Sequence, residues 1–330
     1  MPARTRTRIA ALAAIVLAGA GLTLVSSSAS AATRSIALCA TAGTTTLPGE
    51  VAPIPIWGFG VPTTPGDCST ATASLPGPTL TVDEGDVVTI AVTNALPTGT
   101  ADVPHTLRLE APGIAFAPGG TDAPISSTVT RTFTASAPGT YLYESGGDAG
   151  RQEAMGLYGA LVVRSATANQ AYDSASTAYD VEALLVLSAV DPAFNAAPDT
   201  FDLHGYRATS WLIGGKAYPG TAPIIATSGQ RVLLRYLNAG FDNSTMLMLG
   251  MHQHVVARDA RLLGHPIDAV AETVPAGGTE DTIATVPATP PPSTNGFPVF
   301  NRQLHVTNGP QGGSSPSPAT GGGALTFIHP

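Results

Sequence analysis

Two stretches of this 330-residue chain are built alike. In the first, Pro76-Gly77-Pro78 leads into GDVVTIAVTN, Gly85 to Asn94; in the second, Tyr218-Pro219-Gly220 leads into GQRVLLRYLN, Gly229 to Asn238. The spacing from Gly to Asn is the same in both. Physically, the glycine permits a tight turn, the apolar residues between form a buried strand, and the Asn caps the turn that leaves it. Self-similarity at this range predicts two like β units in tandem, which restricts the fold more than any single strand does.

β-branched and apolar runs recur between turn signals along the whole chain. They are Thr79 to Val82, Val87 to Thr93, Thr128 to Ala135, Thr140 to Glu144, Ala160 to Arg164, Ala183 to Ser188, Arg231 to Leu237 and His254 to Ala257. No long helical periodicity interrupts them. With 36 Gly and 29 Pro, the composition suits short strands and tight turns, so an all-β sandwich architecture is expected. About 300 mature residues exceed one comfortable core, and two units of roughly 150 follow. The small, polar residues 166–180 read as the linker between a first domain over 32–165 and a second over 181–330.

The N-terminus carries Arg4, Arg6 and Arg8, an apolar stretch from Ile9 to Val25, and small residues ending in Ala29-Ser30-Ala31. That is the build of a secretory signal peptide over 1–31, and the isolated arginines point to the general secretory route rather than a twin-arginine one. The mature protein is therefore expected outside the cell or at its surface, with no transmembrane anchor after cleavage. Both cysteines, Cys39 and Cys68, lie in the exported part, where an oxidising compartment favours one disulfide. The alternative, a copper-binding thiolate, needs nearby histidines, and neither cysteine has one close in sequence. A formal net charge of -8 with 12% charged residues excludes a basic nucleic-acid footprint.

Several segments resemble the multicopper oxidases, which are built from cupredoxin domains. In the first half these are LPGPTLTVDEGDVVTIAVTNALP (Leu75 to Pro97), PGTYLYES and MGLYGALVV (Met155 to Val163). In the second they are WLIGGKAYP (Trp211 to Pro219), RYLNAG, VVARDA, RQLHVTNG and GGALTFI. The resemblance implies two tandem cupredoxin-like Greek-key β-sandwiches. It also implies copper, because family enzymes hold a three-copper cluster with His-x-His pairs. Such pairs follow the strand ending at Asn94 and the PGTYLY strand. At the matching positions this chain has Arg108-Leu109-Glu110 and Glu144-Ser145-Gly146.

None of the four positions Arg108, Glu110, Glu144 and Gly146 is a histidine. Each pair is spaced by two, so on a strand both members share a face. Neutral imidazoles hold copper there in the family, whereas arginine stays protonated and offers only donors. Two glutamates could hold a hard cation, but beside an arginine they are expected to form an internal ion pair, Arg108 with Glu144 or Glu110. The family's electron-entry copper needs a His-Cys-His segment with a following Met, and the sequence holds none.

One stretch keeps some metal character, MLMLGMHQH, where Met246, Met248, His252 and His254 could bind Cu(I) as soft thioether and imidazole donors. The competing reading packs the methionines in the core and leaves the histidines at solvent or a domain seam. No G-x-S-x-G elbow or phosphate-binding glycine loop stands out. The expected function is a secreted, non-enzymatic binding or structural module on an oxidase scaffold, with copper absent and an unknown protein or cell-surface partner. Two alternatives stay open: a copper-dependent oxidoreductase of the family, and a Cu(I)-binding or buffering protein using the Met/His stretch.

Overall fold

The computed structural model describes residues 31–308 and 322–330. The expected signal peptide therefore lies, apart from Ala31, outside the described residues, as does most of the Gly/Ser/Pro-rich run from Gly309 to Gly323. Strands dominate. The first half contributes β1 (Thr33–Thr45), β2 (Ile54–Gly60), β3 (Leu80–Asp83), β4 (Val87–Ala95), β5 (Leu107–Glu110), β6 (Asp122–Ala123), β7 (Thr128–Thr134), β8 (Gly139–Ser145) and β9 (Tyr158–Arg164). The second contributes β10 (Val181–Val190), β11 (Ser210–Ile213), β12 (Ile224–Ile225), β13 (Arg231–Asn238), β14 (Ser244–Met248), β15 (Gln253–Arg258), β16 (Arg261–Ala269), β17 (Ala271–Val274), β18 (Thr279–Thr285), β19 (Phe297–Asn301) and β20 (Leu325–His329). Among the described residues the α-helices are short, α1 (Arg151–Met155) and α2 (Pro192–Ala196). Each run read above as a strand falls on an observed one.

The strands form four sheets, and the internal repeat extends to their order. One sheet of the first half runs β2-β1-β4-β7, and its counterpart runs β11-β10-β13-β18, extended by β15 and β16. The facing sheets run β3-β9-β8-β5-β6 and β12-β20-β19-β14-β17. The repeated motif explains why. Gly85 and Gly229 both take positive φ, +91° and +86°, and both donate their amide across the sheet, to Ala135 and Val286. Asn94 and Asn238 are buried, each giving two side-chain N–H bonds to backbone carbonyls and accepting one amide two residues on. Each Asn ties its strand to the facing sheet, so one short motif closes each sandwich.

The expected disulfide is present, joining Cys39 in β1 to Cys68 in the loop after β2, with Cα atoms 5.6 Å apart. The main core of the first half gathers Leu38, Phe59, Val88, Ile90, Leu107 and Tyr143, among others. The second-half core gathers Leu187, Leu234, Tyr236, Met246, Met248 and Phe297. β4 alternates between buried and part-exposed residues, while β13 is buried along almost its whole length. β13 has no solvent face because its outer side meets the first half: Leu237 and Val186 pack with Leu142, Tyr158 and Ala160.

Beside that apolar contact lies a buried polar network. Arg235, 1% exposed, donates to Glu182, to Asp281 at 3.0 Å and to the Thr140 hydroxyl at 3.0 Å. Thr140 in turn donates to Asp281 at 2.7 Å, and Arg164 binds the same Glu182. Residues 166–180, expected as a linker, are anchored here too: Ala171 and Tyr172 are buried, and the Tyr172 hydroxyl donates to Asp281 at 2.6 Å. Among the described residues no helix is long and apolar enough to cross a membrane. Arg235→Ala leaves the buried Asp281 without its cation, so it is expected to cost about 3–5 kcal/mol in urea unfolding. A loss below about 1 kcal/mol, the scale of an ordinary surface change, would show that the network does not hold the halves together.

Candidate functional site

β5 and β8 are hydrogen-bonded neighbours in a register that sets Leu109 opposite Ser145 and Glu110 opposite Glu144. Strand alternation turns Leu107 and Leu109 into the core and Arg108 and Glu110 out of it. The Gly146 amide donates to the Arg108 carbonyl at 3.1 Å. All four positions singled out in the sequence therefore share one patch of two adjacent strands.

Arg108 does not use either glutamate. It donates through Nε and Nη2 to the two carboxylate oxygens of Asp122, at 2.7 and 3.0 Å. The partner sits directly across the ladder on β6, while Glu144 stands opposite Glu110 instead. The expected internal ion pair is thus a half-exposed surface pair, with side chains 47% and 40% exposed. A pair this open to water contributes little, so Arg108 does not anchor the domain.

The glutamates are left facing one another. Glu144 is pushed up to about 8, first by burial and then by the charges of Glu153 and Glu110. Glu153, from α1, is pushed up to about 7 by burial and by Glu110. The Glu110 carboxylate lies over Gly146: a Cβ there would sit 2.7 Å from its Oε2. Beneath the patch, the Ser145 hydroxyl accepts the Arg108 amide and donates to Gln152, whose Nε2 holds the Thr106 carbonyl and Asp148. Glu153 and Asp122 escaped the sequence reading, since one lies in a single-turn helix and the other in a two-residue strand. Neither element has a period to detect.

Comparisons with known proteins fit this architecture. Residues 62–168, which include all four positions, match the multicopper oxidase family. The chain is multicopper-oxidase-like. A relative, Copper resistance protein A of Escherichia coli, is 35% identical over 124 residues, covering 36% of this chain and 18% of that protein's length. The chain thus spans just under a fifth of that relative's length. Among solved structures, Blue Copper Oxidase from Nitrosomonas europaea superposes with a TM-score of 0.72 at 22% identity, over 90% of this chain and 86% of the other. Multicopper Oxidase mgLAC gives a TM-score of 0.71 at 21% identity over the same shares. Likeness at that identity shows the fold.

The patch does not fit a copper centre held by imidazoles. Arg108 offers only donors and is occupied by Asp122, Gly146 has no side chain, and the remaining groups are carboxylates rather than imidazoles. Among the described residues no three His, Cys, Asp or Glu side chains are grouped to hold a metal ion. The Met/His stretch does not converge. Met246 and Met248 are fully buried in the second-half core, His252 is exposed, and His254 on β15 bonds Asp268 on β16 at 2.7 Å. The turn at Gly250 sets Met246 and Met248 of β14 in one sheet and His254 of β15 in another, with His252 in the loop between.

The carboxylate patch sets a pH dependence. An acid held above its unfolded value, 4.5 for Glu144, contributes fully below that value and weakens the fold as pH rises through about 8. Glu280, also pushed up to about 8 by burial and by Glu272, adds a background of the same sign. Glu144→Gln isolates the patch: its melting temperature should match the parent at pH 5 and exceed it at pH 8.5. Equal melting temperatures at both pH values would show that Glu144 ionises freely.

Proposed function

We propose that this protein is an exported, non-enzymatic binding or structural module that uses the multicopper-oxidase fold without its copper cluster. The observation that carries the reading is chemical. At the four positions that the sequence resemblance sets against the family's imidazoles stand a donor-only guanidinium, two carboxylates facing across one ladder, and a glycine covered by one of them. These groups do not form a set that binds and tunes copper. Export is supported by the basic, apolar and small-residue order of the N-terminus and by the disulfide between Cys39 and Cys68. The exported chain divides into units over 32–165 and 181–330, joined by 166–180. The partner is a protein or cell-surface component, and the half-exposed patch around Glu110 and Glu144 is the surface it meets.

Metal content tests this directly. Purified mature protein is incubated with excess Cu(II) and, separately, with Cu(I) under a reductant, dialysed, and assayed by elemental analysis and visible absorption. Less than one copper per chain and no blue band are expected. Several tightly held coppers, or an intense blue band, would overturn the proposal. One Cu(I) lost on Met248→Leu would instead assign a buffering role to the Met/His stretch.

A further inference from the structure

A groove of about 400 Å³ runs between β2 and the chain that follows α2, so both halves contribute to it. Its size falls in the range of small-molecule sites, roughly 300–1,000 Å³. Ile56, Trp57, Pro97, Met155 and Pro198 line it with apolar surface. We propose that this groove binds a small molecule with an apolar ring and one hydroxyl group. The proposal goes beyond the function above, and its site shares none of the Arg108, Glu110, Glu144 and Gly146 positions.

The polar groups of the groove decide the ligand. Asn195, 1% exposed, donates from Nδ2 to the Pro55 carbonyl at 2.8 Å, while its Oδ1 is buried without a partner. The amide cannot be turned round, because that would set its oxygen against the Pro55 oxygen. Oδ1 is therefore an acceptor awaiting a donor. His105, 2% exposed, has no nitrogen to spare: Nδ1 meets the Pro97 carbonyl at 2.7 Å and Nε2 meets Asp199 Oδ1 at 2.8 Å. The second oxygen of Asp199, a side chain 27% exposed, has no partner among the described residues.

Free acceptors beside apolar walls select a ligand that donates. Asp199 repels an anion. On the other side Arg151 reaches the Pro198 carbonyl at 2.8 Å and the Phe201 carbonyl at 2.9 Å. Its charge lies against the same segment and counts against an ammonium ion. A neutral hydroxyl donates to Asn195 Oδ1 without either penalty, and its ring covers Trp57, which already meets His105 edge-on with centroids 4.3 Å apart.

Trp57 also reports on the site, since the chain has only two tryptophans. In full-length mature Trp211→Phe protein, titration with cyclohexanol should give a saturable change in Trp57 fluorescence. Cyclohexanone, which has the same ring but only accepts, should bind about tenfold more weakly, and cyclohexanecarboxylate should not bind. Asn195→Leu should weaken cyclohexanol about tenfold while leaving cyclohexanone unchanged. The alcohol-against-ketone comparison decides the matter even where Asn195→Leu fails to fold. No saturable response to cyclohexanol, equal affinity for the ketone, or full affinity in a natively melting Asn195→Leu would overturn the proposal.

Discussion

The placement of one half on the other depends on Arg235. A guanidinium withdrawn from water is tolerated only when its charge and most of its donors are met at once. Glu182 comes from β10, Asp281 from β18 and Thr140 from β8, so these strands must be assembled together around β13. Tyr172 and Arg164 extend the requirement to the connecting segment and to the end of β9. Apolar packing of Leu237 against Leu142 and Tyr158 supplies area at the same seam, but it is not directional. The ion network supplies the direction. Close backbone approach reinforces it: a Cβ on Gly139 would lie 2.6 Å from Ala260 Cβ, so the β15–β16 turn seats against the start of β8.

Pinning β8 at that end has a consequence at the other. Thr140 is locked into the seam while Glu144 and Gly146 sit where the strand leaves it, on the patch shared with β5. The Ser145–Gln152 bonds fix the backbone beneath the patch without calling on Arg108, Glu110 or Glu144. The architecture is thus set without those side chains, which affect its stability only. A scaffold arranged this way can keep its architecture while its ligands change, which is why likeness of fold leaves the activity open.

Much of the fold was legible because its signals are local. Gly85 with Asn94, and Gly229 with Asn238, carry turn and tie in ten residues each, and their repetition announces the tandem build. The Arg108, Glu110, Glu144 and Gly146 patch was legible for the same reason, since two-residue spacing fixes a shared face on any strand. The partners of those residues were not. Whether Arg108 meets Asp122 or Glu144 depends on which strand lies across the ladder, and β6 is too short to leave a pattern. The seam was equally hidden: Arg235 interrupts an apolar run as a surface arginine would, and only the arrival of Glu182 and Asp281 from distant strands makes it internal. Likewise nothing near Asn195 in sequence indicates that its Oδ1 faces no donor.

The patch and the seam treat charge in opposite ways. At the seam, burial is matched by opposite charge, and Asp281 accepts from Arg235, Thr140 and Tyr172 together. On the patch, Glu110, Glu144 and Glu153 crowd one another, and burial together with like charge raises both Glu144 and Glu153. Carboxylates that resist ionisation in the folded state do not serve stability at neutral pH. Groups perturbed in this way gather where a protein meets something else, because a cationic or hydrogen-bonding partner relieves the strain that the isolated chain carries. Glu110, Glu144 and Glu153 thus form a surface on which a cationic or hydrogen-bonding group would relieve that crowding.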